Sequence, residues 1–103
     1  MAKEKKSFTL VIFRKFKNDG AVIAMFPMVA STVGKPEHCE SYMRIYQHAP
    51  CNVSVIESTQ PATPDECAEL LAELKRIGYN DLKIGKRIPN NAYRVRQEQL
   101  RGN

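Results

Sequence analysis

The stretch that most constrains the fold is FTLVIFRKFKNDGAVIAMFPM over residues 8–28, which predicts a β-hairpin. Two runs rich in β-branched and aromatic residues, 8–17 and 21–28, flank the turn-forming sequence KNDG. An Asn-Asp-Gly tip suits a type I turn followed by a glycine at positive φ, which would place Lys17 opposite Ala21. Both strands carry apolar residues on both faces, which is typical of strands buried between two layers.

In that register, the even-numbered residues of the hairpin share one apolar face and the odd-numbered residues share the other. One helix covers one sheet face, so the second face needs another cover. The alternatives are the C-terminal tail, the loop over residues 29–39, the segment 48–60 or a second copy of the chain. A homodimer would use the odd-numbered face, which consists of Val11, Phe13, Ile23 and Met25.

Further strands follow the hairpin. Alternating apolar residues predict a third strand over residues 40–47, and Pro50 predicts a turn after it. Residues 53–58 are compatible with a fourth short strand or with a helical turn. A last strand is predicted over residues 82–88, with one apolar and one polar face.

The clearest helix is predicted over residues 64–77. Thr63 and Glu66 form the Thr-x-x-Glu pattern of a capping box, Pro64 suits the first helical position, and Gly78 suits the C-terminus. Its apolar residues fall on a single stripe, Cys67, Leu70, Leu71, Leu74 and Ile77.

The order β-β-β-α-β predicts an α+β fold: an antiparallel sheet with one capped amphipathic helix packed on one face. A chain of 103 residues is expected to form a single domain, here over residues 8–88. Residues 1–7 are expected to fray. Residues 89–103 form a basic tail that is either flexible or a marginal helix in need of a partner.

The distribution of charge limits the class of partner, and the cysteine content limits the cellular location. The net charge is +5, and residues 1–17 and 82–103 each hold six basic residues and one acidic residue. These basic ends either contact a polyanion or neutralise the acidic centre of the chain. Three cysteines without an export signal predict reduced thiols and a cytoplasmic location. The chain has no apolar run long enough to cross a membrane.

Cations on the first and last strands would form a stripe if those strands are neighbours, and the stripe suits an anionic partner such as nucleic acid. Tyr42 and Tyr46 alternate on the predicted third strand and would offer stacking surfaces beside it. The alternative is that strand cations protect sheet edges and keep the protein soluble. The predicted anionic-partner contacts are Arg14, Lys15, Lys17, Lys83, Lys86 and Arg87.

Residues suited to zinc or thiol chemistry occur as His38-Cys39 and His48-x-x-Cys51. The two pairs flank one predicted strand, whose opposite ends cannot share a metal unless the segment folds back. No phosphate-binding loop, dinucleotide fingerprint or hydrolase elbow occurs. We therefore expect no catalysis, no cofactor and no metal, and the alternative is a site at His48 and Cys51.

Four segments stand out together: VIFRKFKNDGAVIAMFP over residues 11–27, SYM over 41–43 with Gln47-His48, PATPDE over 61–66, and residues 74–79. They resemble an uncharacterised family of short bacterial proteins that are often encoded on phage or mobile-element DNA. The resemblance covers about residues 9–88 and implies a bacterial or phage cytosolic accessory protein, without an established activity and without any catalytic residue. Its Gln-His pair favours a site at Gln47 and His48. Together with the strand residues Tyr42 and Tyr46, they form the expected recognition surface.

The expected function is that of a small cytoplasmic binding or accessory module, non-catalytic, which recognises a protein or an anionic partner. The first alternative is a nucleic-acid-binding protein that uses the basic strands and tail. The second is a zinc or thiol site within residues 38–51.

Overall fold

The predicted hairpin is present and lies at the centre of a six-stranded sheet. Its strands are β1 (Thr9–Phe16) and β2 (Val22–Ala30). Residues 17–21 join them, with Gly20 at φ +76° as the tip chemistry requires. The computed structural model describes residues 8–31, 34–43 and 47–101, apart from the side chains of Gln47 and His48.

The remaining elements are β3 (His38–Met43), β4 (Gln47–Asn52), a 3₁₀-helix (Val53–Ser58), β5 (Thr59–Pro61), α1 (Pro64–Arg76), β6 (Leu82–Gly85) and α2 (Ala92–Leu100). The strand order is β4-β3-β2-β1-β5, and β6 pairs with β1 beside β5. All pairs are antiparallel except β1 with β6, which is parallel. With α1 packed on one face, the α+β prediction is confirmed.

Helix α1 has the predicted capping box. The Glu66 backbone N–H donates to Oγ1 of Thr63 at 3.2 Å, and Oε1 of Glu66 accepts from the Thr63 backbone N–H at 2.9 Å. Cys67, Leu70 and Leu74 are buried, as the apolar stripe predicts. The stripe packs on β1 and β2. The helix is therefore stabilised both by its capping residues and by burial of its apolar residues against the sheet.

The register of the hairpin differs by one residue from the prediction. The Phe16 backbone N–H donates to the Ala21 carbonyl at 2.8 Å, and the Gly20 N–H donates to the Phe16 carbonyl at 2.9 Å. Four residues therefore lie between the paired Phe16 and Ala21, whereas the predicted pairing of Lys17 with Ala21 leaves three. The loop is stabilised by Asp19, whose Oδ1 accepts from the Ala21 N–H at 3.0 Å. Since side chains alternate along a strand, this slip reassigns one whole strand to the opposite face.

This slip separates the residues that were predicted to form a homodimer face. Val11 and Phe13 lie on the α1 side of the sheet, whereas Ile23 and Met25 lie on the opposite side with Cys39. None of the four predicted residues is more than 5% exposed. The predicted dimer face therefore does not exist in the fold, because its members belong to two internal clusters.

The chain itself covers the second face, and one of the predicted alternatives, the segment 48–60, provides part of the cover. Residues 53–58, whose sequence is compatible with a strand or a helical turn, form the 3₁₀-helix. Its residues Val53 and Val55 pack against the cluster around Met25. Ile88 packs against the same cluster. The sheet is thus buried between two layers, as its apolar faces indicated.

The C-terminal segment is ordered as helix α2, whose partner is β2. The pairing of β2 with β3 is interrupted after Phe26, since Pro27 has no N–H. Arg96 fills this interruption: Nη1 donates to the Pro27 carbonyl at 2.6 Å and Nε donates to the Pro36 carbonyl at 2.8 Å. Gln99 makes two further hydrogen bonds to the backbone of β2.

The structure corrects four strand predictions. The third strand, predicted over residues 40–47, is β3 over His38–Met43, and Gln47 already belongs to β4. The loop predicted over residues 29–39 instead contributes the end of β2 and the start of β3. The turn predicted at Pro50 is wrong, because Pro50 lies within β4, an edge strand that tolerates a missing N–H. The last strand ends at Gly85 rather than at residue 88. Within the described ranges, no helix has the length and apolar character needed to cross a membrane.

Candidate binding site

The predicted aromatic recognition surface is not available at Tyr42. Its ring is 3% exposed and its hydroxyl donates to Oε2 of Glu73 at 3.1 Å, so it joins β3 to α1 inside the core. Tyr46 lies outside the described residues, and so do the side chains of Gln47 and His48. A recognition role for these three residues stays a prediction.

The residues of the predicted cationic stripe make different kinds of contact in the structure. β1 and β6 are neighbours, as the stripe required. The Lys15 ammonium, however, forms an ion pair with the Glu66 carboxylate, and Nζ of Lys83 lies 5.7 Å from the ring centroid of Phe8. Four predicted contacts remain exposed, namely Lys17, Lys83, Lys86 and Arg87.

Arg14 holds the structure together rather than facing a partner. Its Nε donates to Oγ1 of Thr59 at 3.0 Å, and its Nη2 donates to the carbonyls of Ile56 at 3.0 Å and Thr59 at 2.7 Å. Desolvation lowers the pKa of the Arg14 guanidinium from its usual value. These bonds attach β1 to the end of the 3₁₀-helix and the start of β5.

A cavity of about 390 Å³ opens on the α1 side of the sheet. It arises because β5 and β6 share the outer edge of β1: β6 pairs with residues 9–12 and β5 with residues 14–16. The chain then enters α1 directly after β5, so the first turns of the helix form one wall. The apolar side of this α1–β6 cavity includes Phe13, Ala62, Pro64, Cys67, Leu71 and Ile84.

The lining of the α1–β6 cavity favours an apolar group with negative charge beside it. Ile84 is 55% exposed at the cavity, a large exposed fraction for an isoleucine. Burial raises the pKa of the Cys67 thiol, so this residue is uncharged and contributes a weakly polar group to the cavity wall. Lys86 also lines the cavity, and no Asp or Glu does so among the described residues.

The backbone of β6 adds a second feature to this site. Within the described part of the chain, β6 hydrogen-bonds on one side only, to β1. Its other edge therefore presents unpaired N–H and C=O groups next to the cavity. Such an edge is a template for an added strand, and a neighbouring apolar cavity accepts one of that strand's side chains.

The structure separates His48 from Cys51, the two residues of the predicted zinc or thiol site. The turn expected to bring His48 and Cys51 together is instead β4, which spaces them by about 10 Å along the strand. The segment does fold back, however, and β4 places Cys51 directly opposite Cys39. Across the described residues, no group of three His, Cys, Asp or Glu side chains is arranged to hold a metal ion.

The chain matches no protein-family model, no curated protein and no solved structure. The resemblance to short bacterial and phage proteins therefore stays a prediction. Sequence patterns missed the α1–β6 cavity because it depends on β5, a strand of only three residues that carries no signal of its own. The sequence predicts Leu71 on the apolar face of α1 and Ile84 on the apolar face of β6. It does not indicate that these two faces line one cavity.

Proposed function

We propose that this chain is a small, non-catalytic binding module that recognises an extended segment of a partner protein at the α1–β6 cavity. The observation that carries the proposal is the apolar cavity of about 390 Å³, which lies beside the one-sided strand β6 and has Lys86 in its lining. A volume of this size lies within the usual range for binding pockets, about 300–1,000 Å³.

The chemistry of the surroundings defines the partner segment. An added strand on β6 would gain backbone hydrogen bonds, while one large apolar side chain enters the cavity next to Leu71 and Ile84. Lys83, Lys86 and Arg87 lie on or just after β6 and favour acidic residues in the same segment. The partner is therefore an extended sequence that combines an apolar anchor with neighbouring Asp or Glu.

We include a cytoplasmic location in the same proposal. Three cysteines that form no disulfide support a reducing, cytoplasmic compartment.

A selection from a displayed library of random peptides tests the proposal directly. The chain is immobilised, and binders to an Ile84→Asp variant are removed first, since a carboxylate at that position opposes both the apolar anchor and the acidic flank. We expect enrichment of peptides that carry an aromatic or large aliphatic residue beside Asp or Glu. A Val29→Asp variant is the matched control, because Val29 is an exposed apolar residue on a different strand, 37% exposed.

The selected peptides should bind the Val29→Asp variant as they bind the unmodified chain, and they should lose binding to Ile84→Asp. Enrichment without a common pattern, or equal binding to both variants, would contradict the proposal.

A further inference from the structure

Cys39 and Cys51 lie directly opposite each other on the antiparallel strands β3 and β4. The Val53 backbone N–H donates to the Glu37 carbonyl at 2.9 Å, two positions further along, which identifies the cysteine pair as a hydrogen-bonded pair of the ladder. Residues in such pairs have Cα atoms about 5.5 Å apart, inside the usual range of about 4.4–6.8 Å for disulfides. Their Cβ atoms lie near the upper end of about 4.5–5.5 Å, so the two strands must approach each other locally to reach the Cβ separation of about 3.5–4.5 Å in a disulfide. Both side chains belong to the same cluster, on the sheet face away from α1.

The two sulfur atoms differ in their access to solvent. Cys39 is fully buried, whereas Cys51 retains 7% of its surface and lines an open cavity of about 430 Å³. This Cys51 cavity lies between the 3₁₀-helix and strands β1 to β4, and its other walls include Phe16, Ile23, Met43 and Val55. A reagent in the cavity would thus meet Cys51 first, with Cys39 behind it.

We propose that Cys51 and Cys39 form a redox-active dithiol, in which Cys51 reacts with a low-molecular-weight disulfide in the Cys51 cavity and Cys39 completes the exchange. The geometry supports an assignment of separate roles, with Cys51 as the attacking thiol and Cys39 as the resolving thiol. Cys67 takes no part, because it lies on α1 at the opposite face of the sheet.

The chemical step balances with that disulfide as the only co-reactant. The Cys51 thiolate attacks one sulfur of the small disulfide, so that a mixed disulfide forms and one small thiol leaves. Cys39 then gives up its proton and attacks the Cys51 sulfur, which releases the second small thiol and forms the cross-strand disulfide. The protein is oxidised by two electrons, and the small disulfide is reduced to two thiols.

The electrostatics of the pair favour this assignment. The side-chain interaction between the two thiols lowers the pKa of Cys51 and raises the pKa of Cys39. The buried guanidinium of Arg96 lies close enough to act on Cys39, and its positive charge favours the thiolate that must form there in the second step. A thiolate is the reactive form of cysteine, so the less deeply buried member of the pair is also the activated one.

The test uses the full chain with Cys67→Ala, incubated with glutathione disulfide near neutral pH, quenched with acid and measured by intact mass. We expect a product that lacks two hydrogen atoms and carries no glutathione. On the same background, Cys39→Ser removes the resolving thiol, and we expect one glutathione per chain, attached to Cys51. A background chain that keeps glutathione attached, or that does not react, would overturn the proposal.

A second variant separates the roles of the two sulfur atoms. Cys51→Ser leaves only the buried thiol, and we expect its modification to be at least about tenfold slower than that of Cys39→Ser. Equal rates for the two variants would contradict the assignment of attacking and resolving thiols. Circular dichroism and thermal unfolding establish that each variant is folded, and Cys39→Ala replaces Cys39→Ser if the hydroxyl disrupts the buried position.

Discussion

The guanidinium of Arg96 donates to the carbonyl oxygen of Pro27 at 2.6 Å, and the Arg96 side chain is only 2% exposed. A proline inside β2 removes one backbone donor and interrupts the pairing with β3, and α2 supplies an arginine to the carbonyl left there. The C-terminal helix is therefore attached to the sheet by a buried charge rather than by an apolar stripe. No carboxylate pairs with Arg96 in the described ranges, so its backbone hydrogen bonds must compensate its desolvation.

Arg96→Met should strongly destabilise the fold. Methionine retains the apolar length of the side chain but removes the hydrogen bonds to the carbonyls of Pro27 and Pro36. We expect the free energy of unfolding to fall by about 2–4 kcal/mol, since hydrogen bonds from a buried charged group are involved. Urea unfolding followed by circular dichroism measures the loss.

Arg94→Met is the matched control on the same helix. Arg94 is exposed and lies 3.5 Å from Glu98, an ion pair that solvent screens. Its change in the free energy of unfolding should stay within about 0.5 kcal/mol. If both variants had the same stability, the attachment of α2 through Arg96 would be contradicted.

Thr63→Ala should weaken the start of α1. The substitution removes the side-chain acceptor of the Glu66 backbone N–H, and loss of such a cap costs about 1 kcal/mol. Thr63→Ser keeps an acceptor hydroxyl and should retain most of the stability. Thermal unfolding of the two variants distinguishes the cap from a general effect of position 63, which would lower the stability of both equally.

Stability should decline in acid through Glu73. Hydrogen bonds from Arg76, followed by the hydroxyl of Tyr42, hold the pKa of the Glu73 carboxyl below its ordinary value of 4.5. The unfolded chain then binds a proton at a higher pH than the folded chain does. The contribution of Glu73 is therefore complete above about pH 5 and is lost as the pH falls through its folded pKa.

Urea unfolding between about pH 6 and pH 3 measures this dependence. Glu73→Gln should flatten the curve, whereas Glu57→Gln should leave it unchanged. Glu57 is exposed on the 3₁₀-helix, and its carboxylate accepts no hydrogen bond within the described structure. A Glu73→Gln curve parallel to that of the unmodified chain would show that this network does not couple folding to pH.

Nucleic acid should bind weakly or not at all. Of the six predicted contacts, Lys15 is neutralised by Glu66 and Arg14 bonds internal oxygens, so the stripe keeps only four exposed cations. Fluorescence anisotropy with labelled single-stranded DNA, duplex DNA and RNA, at about 50 and 200 mM salt, measures the remaining attraction. Binding at the lower salt that is lost at the higher salt and in Lys86→Ala would instead favour the nucleic-acid alternative.

The elements predicted best from the sequence are those that local chemistry defines. Helix α1 has a capping box, a proline at its start, one apolar stripe and Gly78 after its end, and all these signals agree. The hairpin has a turn sequence between two β-rich runs. Its register was wrong by one residue because KNDG is compatible with loops of three and of four residues, and the difference depends on backbone hydrogen bonds that the sequence does not specify.

The features that were missed depend on contacts between distant residues. Between β3 and β4 the sequence Arg44-Ile45-Tyr46 contains no turn-forming residue, so nothing indicated that Cys39 and Cys51 are partners. Arg96 in a polar tail indicates an exposed helix, and only the interruption at Pro27 explains its burial. The α1–β6 cavity likewise requires β5 and β6 to share one edge of β1, which is a property of the sheet order.

The most direct measurement of the proposed function is a nuclear magnetic resonance titration of the isotope-labelled chain with a selected acidic–apolar peptide. We predict amide shift changes concentrated in β6, β5 and the first turns of α1, retained in Val29→Asp and absent in Ile84→Asp. Changes concentrated in β3 and β4, or an unaltered pattern in Ile84→Asp, would contradict recognition of a partner at the α1–β6 cavity.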